Sequence, residues 1–431
     1  MNENMPEGKF KRTVVGTGTA AKVGGKVLKY LVKKPFLSDE NKKTAKKELS
    51  EESAITIFKS LTFLKGTALK IAQFLSMEFD LLPEELRNEL SKSYNKVPPL
   101  NRAIVRKILN EQYEEPYEDV FKAFDGKAFA AASLGQVHRA ETNEGDKLAV
   151  KIQYPGVKNT IKSDLKLVKT MVRPLSNASF LLPMLDEIEE KLTEETDYIK
   201  EAESLSFFKE NLEMDSVIVP KLYKKYNSDV LIATEYIEGV SLNEWIKEKP
   251  SHEDKNKIAK ILYEIFLKGF YELNCIHADP NPGNFIITKD LKVGLIDFGC
   301  IKRFDSDFKD IYSSLNKSIL TGDSEYFTFF NDLNMLKKGT SKKIRDEVTQ
   351  IMFKISKWYN RFYKDEYFDF RDNKDIFSEP MDYFKELGKY RKYFNSQPDF
   401  VFLDRTRYGI YRIFEQMQVR IKLRNRYEWE E

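Results

Sequence analysis

Asp279 and Asn284 stand five residues apart in the run Ile276-His277-Ala278-Asp279-Pro280-Asn281-Pro282-Gly283-Asn284-Phe285, and Asp297-Phe298-Gly299 begins thirteen residues after that Asn. Between them, Phe285-Ile286-Ile287 and Val293-Gly294-Leu295-Ile296 read as short strands around the turn Thr288-Lys289-Asp290. Either half alone is a weak match. Together they commit the chain to a hairpin that carries a carboxylate, a carboxamide and a second carboxylate to one end. Phosphoryl transfer needs that set: one Asp orients the attacking hydroxyl, and the Asn and second Asp hold Mg²⁺ against phosphates. Asp279 is therefore the candidate catalytic residue, with Asn284 and Asp297 the candidate metal ligands. The bland alternative is a loop with an ordinary Asx turn.

Upstream, a β-rich stretch runs from Phe124 through Ala128-Phe129-Ala130-Ala131-Ala132-Ser133-Leu134-Gly135-Gln136-Val137 to Lys147-Leu148-Ala149-Val150-Lys151. Against a kinase glycine-rich loop, G-x-G-x-x-G-x-V, it aligns as Ala130-x-Ala132-x-x-Gly135-x-Val137, with two glycines replaced by alanine. Alanine keeps the side chain small but restricts positive φ, so the loop should cover a nucleotide in a less adaptable geometry. Lys151 follows Val137 by fourteen residues, the place of the strand lysine that pairs α/β-phosphates. A carboxylate should pair with it, and the acidic helix Leu192 to Ala202 offers Glu201. Val230-Leu231-Ile232-Ala233-Thr234-Glu235-Tyr236-Ile237 reads as a buried strand entering a hinge, where backbone groups near Glu235 and Ile237 would bond adenine.

At 431 residues with 41% hydrophobic and 13% aromatic content, the chain suits two or three folded domains. A net charge of +3 is too small to argue for nucleic acid. With two cysteines, Cys275 and Cys300, and three histidines, a zinc site is not expected. A reduced, cytoplasmic setting is the plain reading. The start of the chain reads as neither a signal nor a transit peptide, and no window approaches a membrane span. Lys9 to Leu37 holds eight bases and no acid, with Val23, Val27, Leu28, Leu31 and Val32 at roughly helical spacing. That segment suits peripheral contact with an anionic membrane, a solvated helix docked on the body, or a mobile basic arm; Gly24-Gly25 weakens the helix.

Glu51 to Met77 reads as a helix with a broad apolar surface, carrying Lys70-Ile71-Ala72-Gln73 with Lys70 and Gln73 on one face. Further helices are expected near Pro83, from Arg102 to Gln112, and as an insertion from Gly156 to Leu185. After Gly299 neither an Ala-Pro-Glu nor a Ser/Thr/Tyr-rich segment follows, and Ser306 to Leu320 already reads as a helix. The platform on which kinases hold peptides is thus not evident. The bases from Arg405 to Arg426 read as a solvated helix face, with lipid or phosphate contact the alternative.

With these residues assembled, the chain resembles the UbiB/AarF family of atypical kinases. The resemblance rests on Ala130 to Ser133, Lys70 to Gln73, Glu195-Thr196-Asp197 and His277 to Asn284, and spans roughly residues 50 to 430; Ala72 stands where the family has Gly. It implies an α+β, two-lobed protein-kinase-like fold, with a small β-rich N-lobe and a helical C-lobe. Boundaries expected on that basis are a basic segment at 1–45, a helical extension at 46–120, the N-lobe at 121–238 and the C-lobe at 239–431. It further implies an ATP- and Mg²⁺-dependent ATPase or small-molecule/lipid kinase, in which Lys70, Gln73, Glu195 and Asp197 close the site over the nucleotide. A membrane association and support of isoprenoid quinone biosynthesis, with a quinone precursor or anionic lipid as partner, follow from the same resemblance. Two alternatives stay open: a protein kinase acting on a partner, and a nucleotide-gated, lipid-binding scaffold with little turnover.

Overall fold

The computed structural model describes residues 9–64, 71, 100–132, 134–173, 178–321, 333–395 and 398–429. The fold is α+β and kinase-like, and divides into two compact units. The first takes the chain up to Ala202 together with Leu222–Tyr236, and the second takes Glu203–Lys221 and everything from Ile237.

The first unit is built on an antiparallel sheet. Strand Gly135–Glu141 pairs with Ala123–Phe124, with Ala130–Ala132 and with Lys147–Gln153, and the last of these pairs with Leu231–Glu235. Period-two alternation decides what each face does. Leu148, Val150 and Ile152 are fully buried and meet Val105, Ile108 and Leu109, which lie at i, i+3 and i+4 on the helix Arg102–Gln112. Each side chain so buried contributes about 1.5–3 kcal/mol. The intervening Lys151 is therefore turned to the opposite face. The helix has the bounds its sequence predicts, and Asn101 caps it by accepting from the Ala103 N–H at 2.8 Å.

A second core in this unit lies among helices. The expected insertion forms Val157–Val172 and Ala178–Glu194, which pack with Val23 and Ile57 from the first two helices, Lys9–Lys33 and Asp39–Leu64. Lys169 ties the inserted pair, reaching Asp186 and Glu189 at 2.7 Å each. Two expectations change here. The first helix runs unbroken through Gly24-Gly25, because packing on the second helix outweighs a propensity cost of about 1 kcal/mol per glycine. Its apolar residues also divide: Val23 is buried, whereas Leu28, Leu31 and Val32 are 52–64% exposed. The second helix starts at Asp39, earlier than the predicted Glu51. The rest of the expected Glu51 to Met77 helix beyond Leu64, and the helix near Pro83, lie outside the described residues except at Ile71.

In the second unit the expected hairpin forms. Phe285–Ile287 pairs antiparallel with Val293–Leu295, Val293 opposite Ile287 and Leu295 opposite Phe285. Thr288 closes the turn, bonding Asp290 Oδ1 at 2.6 Å and receiving the Lys292 N–H at 3.0 Å. Val240–Ser241 and Val217–Ile218 flank the hairpin, and Cys275–His277 pairs separately with Ile301–Arg303. The described helices of this unit include Leu242–Lys247, His252–Tyr271, Ser306–Thr321, Lys342–Asn360, Met381–Gly388 and Pro398–Met417.

The basic C-terminal stretch is not one solvated helix face. Arg407 points inward, 2% exposed, with Glu428 at 2.5 Å, and the helix ends at Met417. Tyr359 and Tyr363 also accept from its guanidinium. Burial alone would lower its pKa, but Glu428 and the tyrosines hold it well above the ordinary value.

Candidate active site

In the first unit, Lys151 stands opposite Val137 on one side and Ile232 on the other, on the sheet face away from the apolar core. Its Nζ lies 2.9 Å from both carboxylate oxygens of Glu201, which is buried. Local chemistry explains how Glu201 gets there. Asp197 caps the helix Tyr198–Asn211 by accepting from the Lys200 N–H at 3.1 Å, and its carbonyl takes the Glu201 N–H at 3.0 Å. Gln153, on the same strand face as Lys151, donates to the Thr196 carbonyl at 2.9 Å. Glu195-Thr196-Asp197 is thereby fastened to the strand that carries the lysine.

The alanine-rich segment is an edge strand: Ala130 faces Val137, Ala131 faces Gln136 and Ala132 faces Gly135. Ala130 and Ala131 are exposed, as an open covering segment requires. Gly135 has no such latitude. A Cβ there would stand 2.3 Å from the Ile152 carbonyl oxygen and 3.0 Å from the Tyr198 hydroxyl. Glu235 ends the last strand of this sheet opposite Leu148, and at Ile237 the chain re-enters the second unit. Lys70, Gln73, Ala72 and Ser133 lie outside the described residues.

In the second unit, Asn284 Nδ2 donates to Asp279 Oδ2 at 2.8 Å. That bond fixes the amide, so its Oδ1, the atom a hard cation takes, is turned from Asp279. Asn284 immediately precedes one hairpin strand and Asp297 follows the other, at the hairpin's open end. Asp297 has φ +62°, a left-handed conformation that costs a non-glycine residue about 1–2 kcal/mol. His277 holds it there: its Nε2–H donates to the Asp297 carbonyl at 2.7 Å. The donor set of one amide oxygen and one carboxylate is hard and oxygen-only. It fits Mg²⁺, which binds through one or two carboxylates and completes its shell with phosphate and water. Among the described residues no cluster of three or more His, Cys, Asp or Glu offers a denser metal cage.

The family model of the ABC1 atypical kinase-like domain matches residues 92–329, more than half of the chain. The chain belongs to the ABC1, or UbiB, family. It is 33% identical over 266 residues to the atypical kinase COQ8, mitochondrial, of Saccharomyces cerevisiae, covering 60% of this chain and 53% of the relative. It is 26% identical to the probable serine/threonine-protein kinase abkA of Dictyostelium discoideum, covering 73% and 59%. The chain thus spans about half the length of the curated relatives it matches. A Mycobacterium tuberculosis protein solved as a complex with erythromycin superposes with a TM-score of 0.58 at 25% identity, covering 89% of this chain and 96% of that one.

Several residues of the ABC1 chain's site were silent in the sequence. Tyr198 is buried with its ring 5.1 Å from Lys151 Nζ, and Gln153 acts as a positioning residue; His277, which opens the His277 to Asn284 motif, positions Asp297. Behind the loop, Gln136 and His138 face the core. Gln136 bonds His138 Nε2 at 2.7 Å and takes the Leu100 N–H at 2.7 Å, while His138 Nδ1 bonds the Asp125 carbonyl at 2.7 Å. Their signal was available: two polar residues two apart, on the inward phase of a strand.

Proposed function

We propose that this ABC1 chain is an Mg-ATP-dependent atypical kinase or ATPase that supports isoprenoid quinone biosynthesis or related membrane lipid metabolism. The observation that carries the reading is Lys151 held symmetrically by the buried Glu201 at 2.9 Å. A lysine fixed on the polar face of a sheet and oriented by one carboxylate is suited to pairing phosphate oxygens. Asn284 and Asp297 would hold the metal, which when bound neutralises charge developing on the transferred phosphoryl group. Asp279, kept in place by the Asn284 amide, would accept the proton of the attacking hydroxyl or water. The loop from Ala130 to Val137, with Ser133, would cover the nucleotide, and the backbone near Glu235 and Ile237 would receive adenine. Lys70, Gln73, Glu195 and Asp197 would complete the closure.

Peripheral attachment to an anionic membrane is supported by the first helix, where exposed Leu28, Leu31 and Val32 share a face bordered by exposed Lys29 and Lys33. No described helix is long and apolar enough to cross a membrane. A second reading, transfer to a protein, is favoured by the name of the Dictyostelium relative and opposed by the want of a peptide platform after Gly299.

The test is Mg²⁺-dependent ATP hydrolysis by the purified chain, with and without anionic liposomes containing a quinone-like phenol. Turnover is expected to rise with liposomes and to fall at least 100-fold in Asp297→Asn. Full activity in that variant would sink the metal assignment. Tight Mg-ATP binding without hydrolysis would favour a nucleotide-gated scaffold.

A further inference from the structure

The last turn of the helix Lys342–Asn360 and the residues after it bring Lys357, Asn360, Arg361 and Lys364 to a cavity of about 360 Å³, lined also by Arg424 and Trp429. Its volume falls within the ordinary range for small-molecule sites. None of Asp279, Asn284 or Asp297 lines it. Four of the described lining residues are cationic and none is acidic. Arg361 is neutralised by Glu379. Among the described residues no carboxylate lies within ion-pair distance of Lys357, Lys364 or Arg424. Three uncompensated cations around one concavity repel one another and focus a positive potential into it.

The site is also built rather than incidental. Arg424 donates through Nε to the Tyr363 carbonyl at 2.9 Å and through Nη2 to the Lys364 carbonyl at 2.6 Å. Its guanidinium carbon stands 4.4 Å from the Trp429 ring centroid. Held on two sides and stacked on a third, it carries its charge at a fixed place and would lose little entropy on binding an anion. Asn360 stands beside these cations with its amide turned into the protein. Its Nδ2 donates to the Ile319 carbonyl, which fixes the amide, and its buried Oδ1 has no hydrogen-bond partner among the described residues. A buried acceptor without a donor costs about 1–3 kcal/mol.

We propose that this cavity binds a phosphate monoester or diester of a small polyol, with the phosphate on Lys357, Lys364 and Arg424 and Trp429 against the carbon skeleton. The same chemistry is offered by a soluble polyol phosphate and by the glycerophosphate headgroup of an anionic phospholipid. This site is separate from the nucleotide reading and does not rest on it.

The test uses the full chain with two probes: glycerol 3-phosphate by calorimetry, and phosphatidylglycerol against phosphatidylcholine vesicles by co-sedimentation. Saturable binding is expected for at least one anionic probe, weakening with added salt. Lys357→Glu with Lys364→Glu should reduce it at least tenfold with an unchanged melting curve, and Asp297→Asn should bind like the parent. Glycerol 3-phosphate binding identifies a soluble ligand, whereas binding to phosphatidylglycerol vesicles alone identifies a headgroup. The proposal fails if neither anionic probe binds saturably, if phosphatidylcholine vesicles bind equally well, if the charge-reversed variant binds unchanged, or if Asp297→Asn abolishes binding. Should the charge-reversed variant not fold, Lys357→Gln with Lys364→Gln removes the same charges without adding acids and is read by the same criteria.

Discussion

Removing Arg407 and Glu428 together should destabilise the second unit no more than removing either one alone. Arg407 is 2% exposed and Glu428 5%, so neither charge has water to fall back on. Glu428 accepts from Arg407 Nη2 at 2.5 Å, from the Tyr271 hydroxyl at 2.8 Å and from Asn425 Nδ2 at 2.8 Å. Arg407→Met leaves that carboxylate buried with two neutral donors, and Glu428→Leu leaves the guanidinium with tyrosine hydroxyls as hydrogen-bond partners and only the electrostatic pull of Asp404 in place of its ion pair. Each single change should cost about 3–5 kcal/mol, the penalty of stranding one buried charge. Were the two costs independent, the double variant would lose about twice that. It should instead lose about 2–5 kcal/mol, because neither member of the pair is left stranded and Tyr363 still bonds Tyr359 at 2.9 Å and Tyr411 at 2.6 Å. Urea unfolding of the four proteins, followed by circular dichroism and tryptophan fluorescence, gives the coupling directly. Additivity to within about 0.5 kcal/mol would refute the account, since non-interacting sites add to that precision. Raising the salt concentration should leave the coupling nearly intact, because a buried pair is poorly screened.

Two further outcomes follow from the first unit. Gly135→Ala should cost about 1–3 kcal/mol, because its Cβ would fall 2.3 Å from the Ile152 carbonyl and force the paired strands apart; hydrogen exchange in Lys147–Gln153 at the parent rate would contradict this. His138 should make stability depend on pH. Burial lowers its pKa below 6.5, against a smaller opposing effect of the Asp125 carbonyl, so the unfolded chain takes the proton first as the solution is acidified. The contribution is complete above the unfolded pKa and is lost as pH falls from there toward the folded pKa, at no more than about 1.4 kcal/mol per pH unit. Comparing urea midpoints between pH 7.5 and 5 for the parent and His138→Gln checks it, and an unchanged slope in the variant would remove His138 as the cause.

What the sequence determined was periodic or local. The hairpin Phe285 to Leu295 could be read because strands of three residues around Thr288-Lys289-Asp290 leave one register. The helix Arg102–Gln112 could be read because Asn101 and the spacing of Val105, Ile108 and Leu109 agree. Lys151 was legible because it follows Val137 of the loop by fourteen residues, and Glu201 because a lysine there requires a carboxylate. Gly24-Gly25 misled, since propensity is weaker than packing. The tertiary structure alone decided which polar residues go inside. Tyr198 meets Lys151, Gln153 meets Thr196 and Gln136 meets Leu100 across long stretches of chain, and no short window of sequence contains both members of such a pair; the Gln136–His138 bond, two residues apart, is the local exception. Arg407 looked like one more base on a charged helix, and only Glu428, twenty-one residues on and folded back over it, makes its burial possible. The cluster of Lys357, Lys364 and Arg424 depends likewise on where a returning segment lies, because charge spacing along a chain does not fix charge spacing in space.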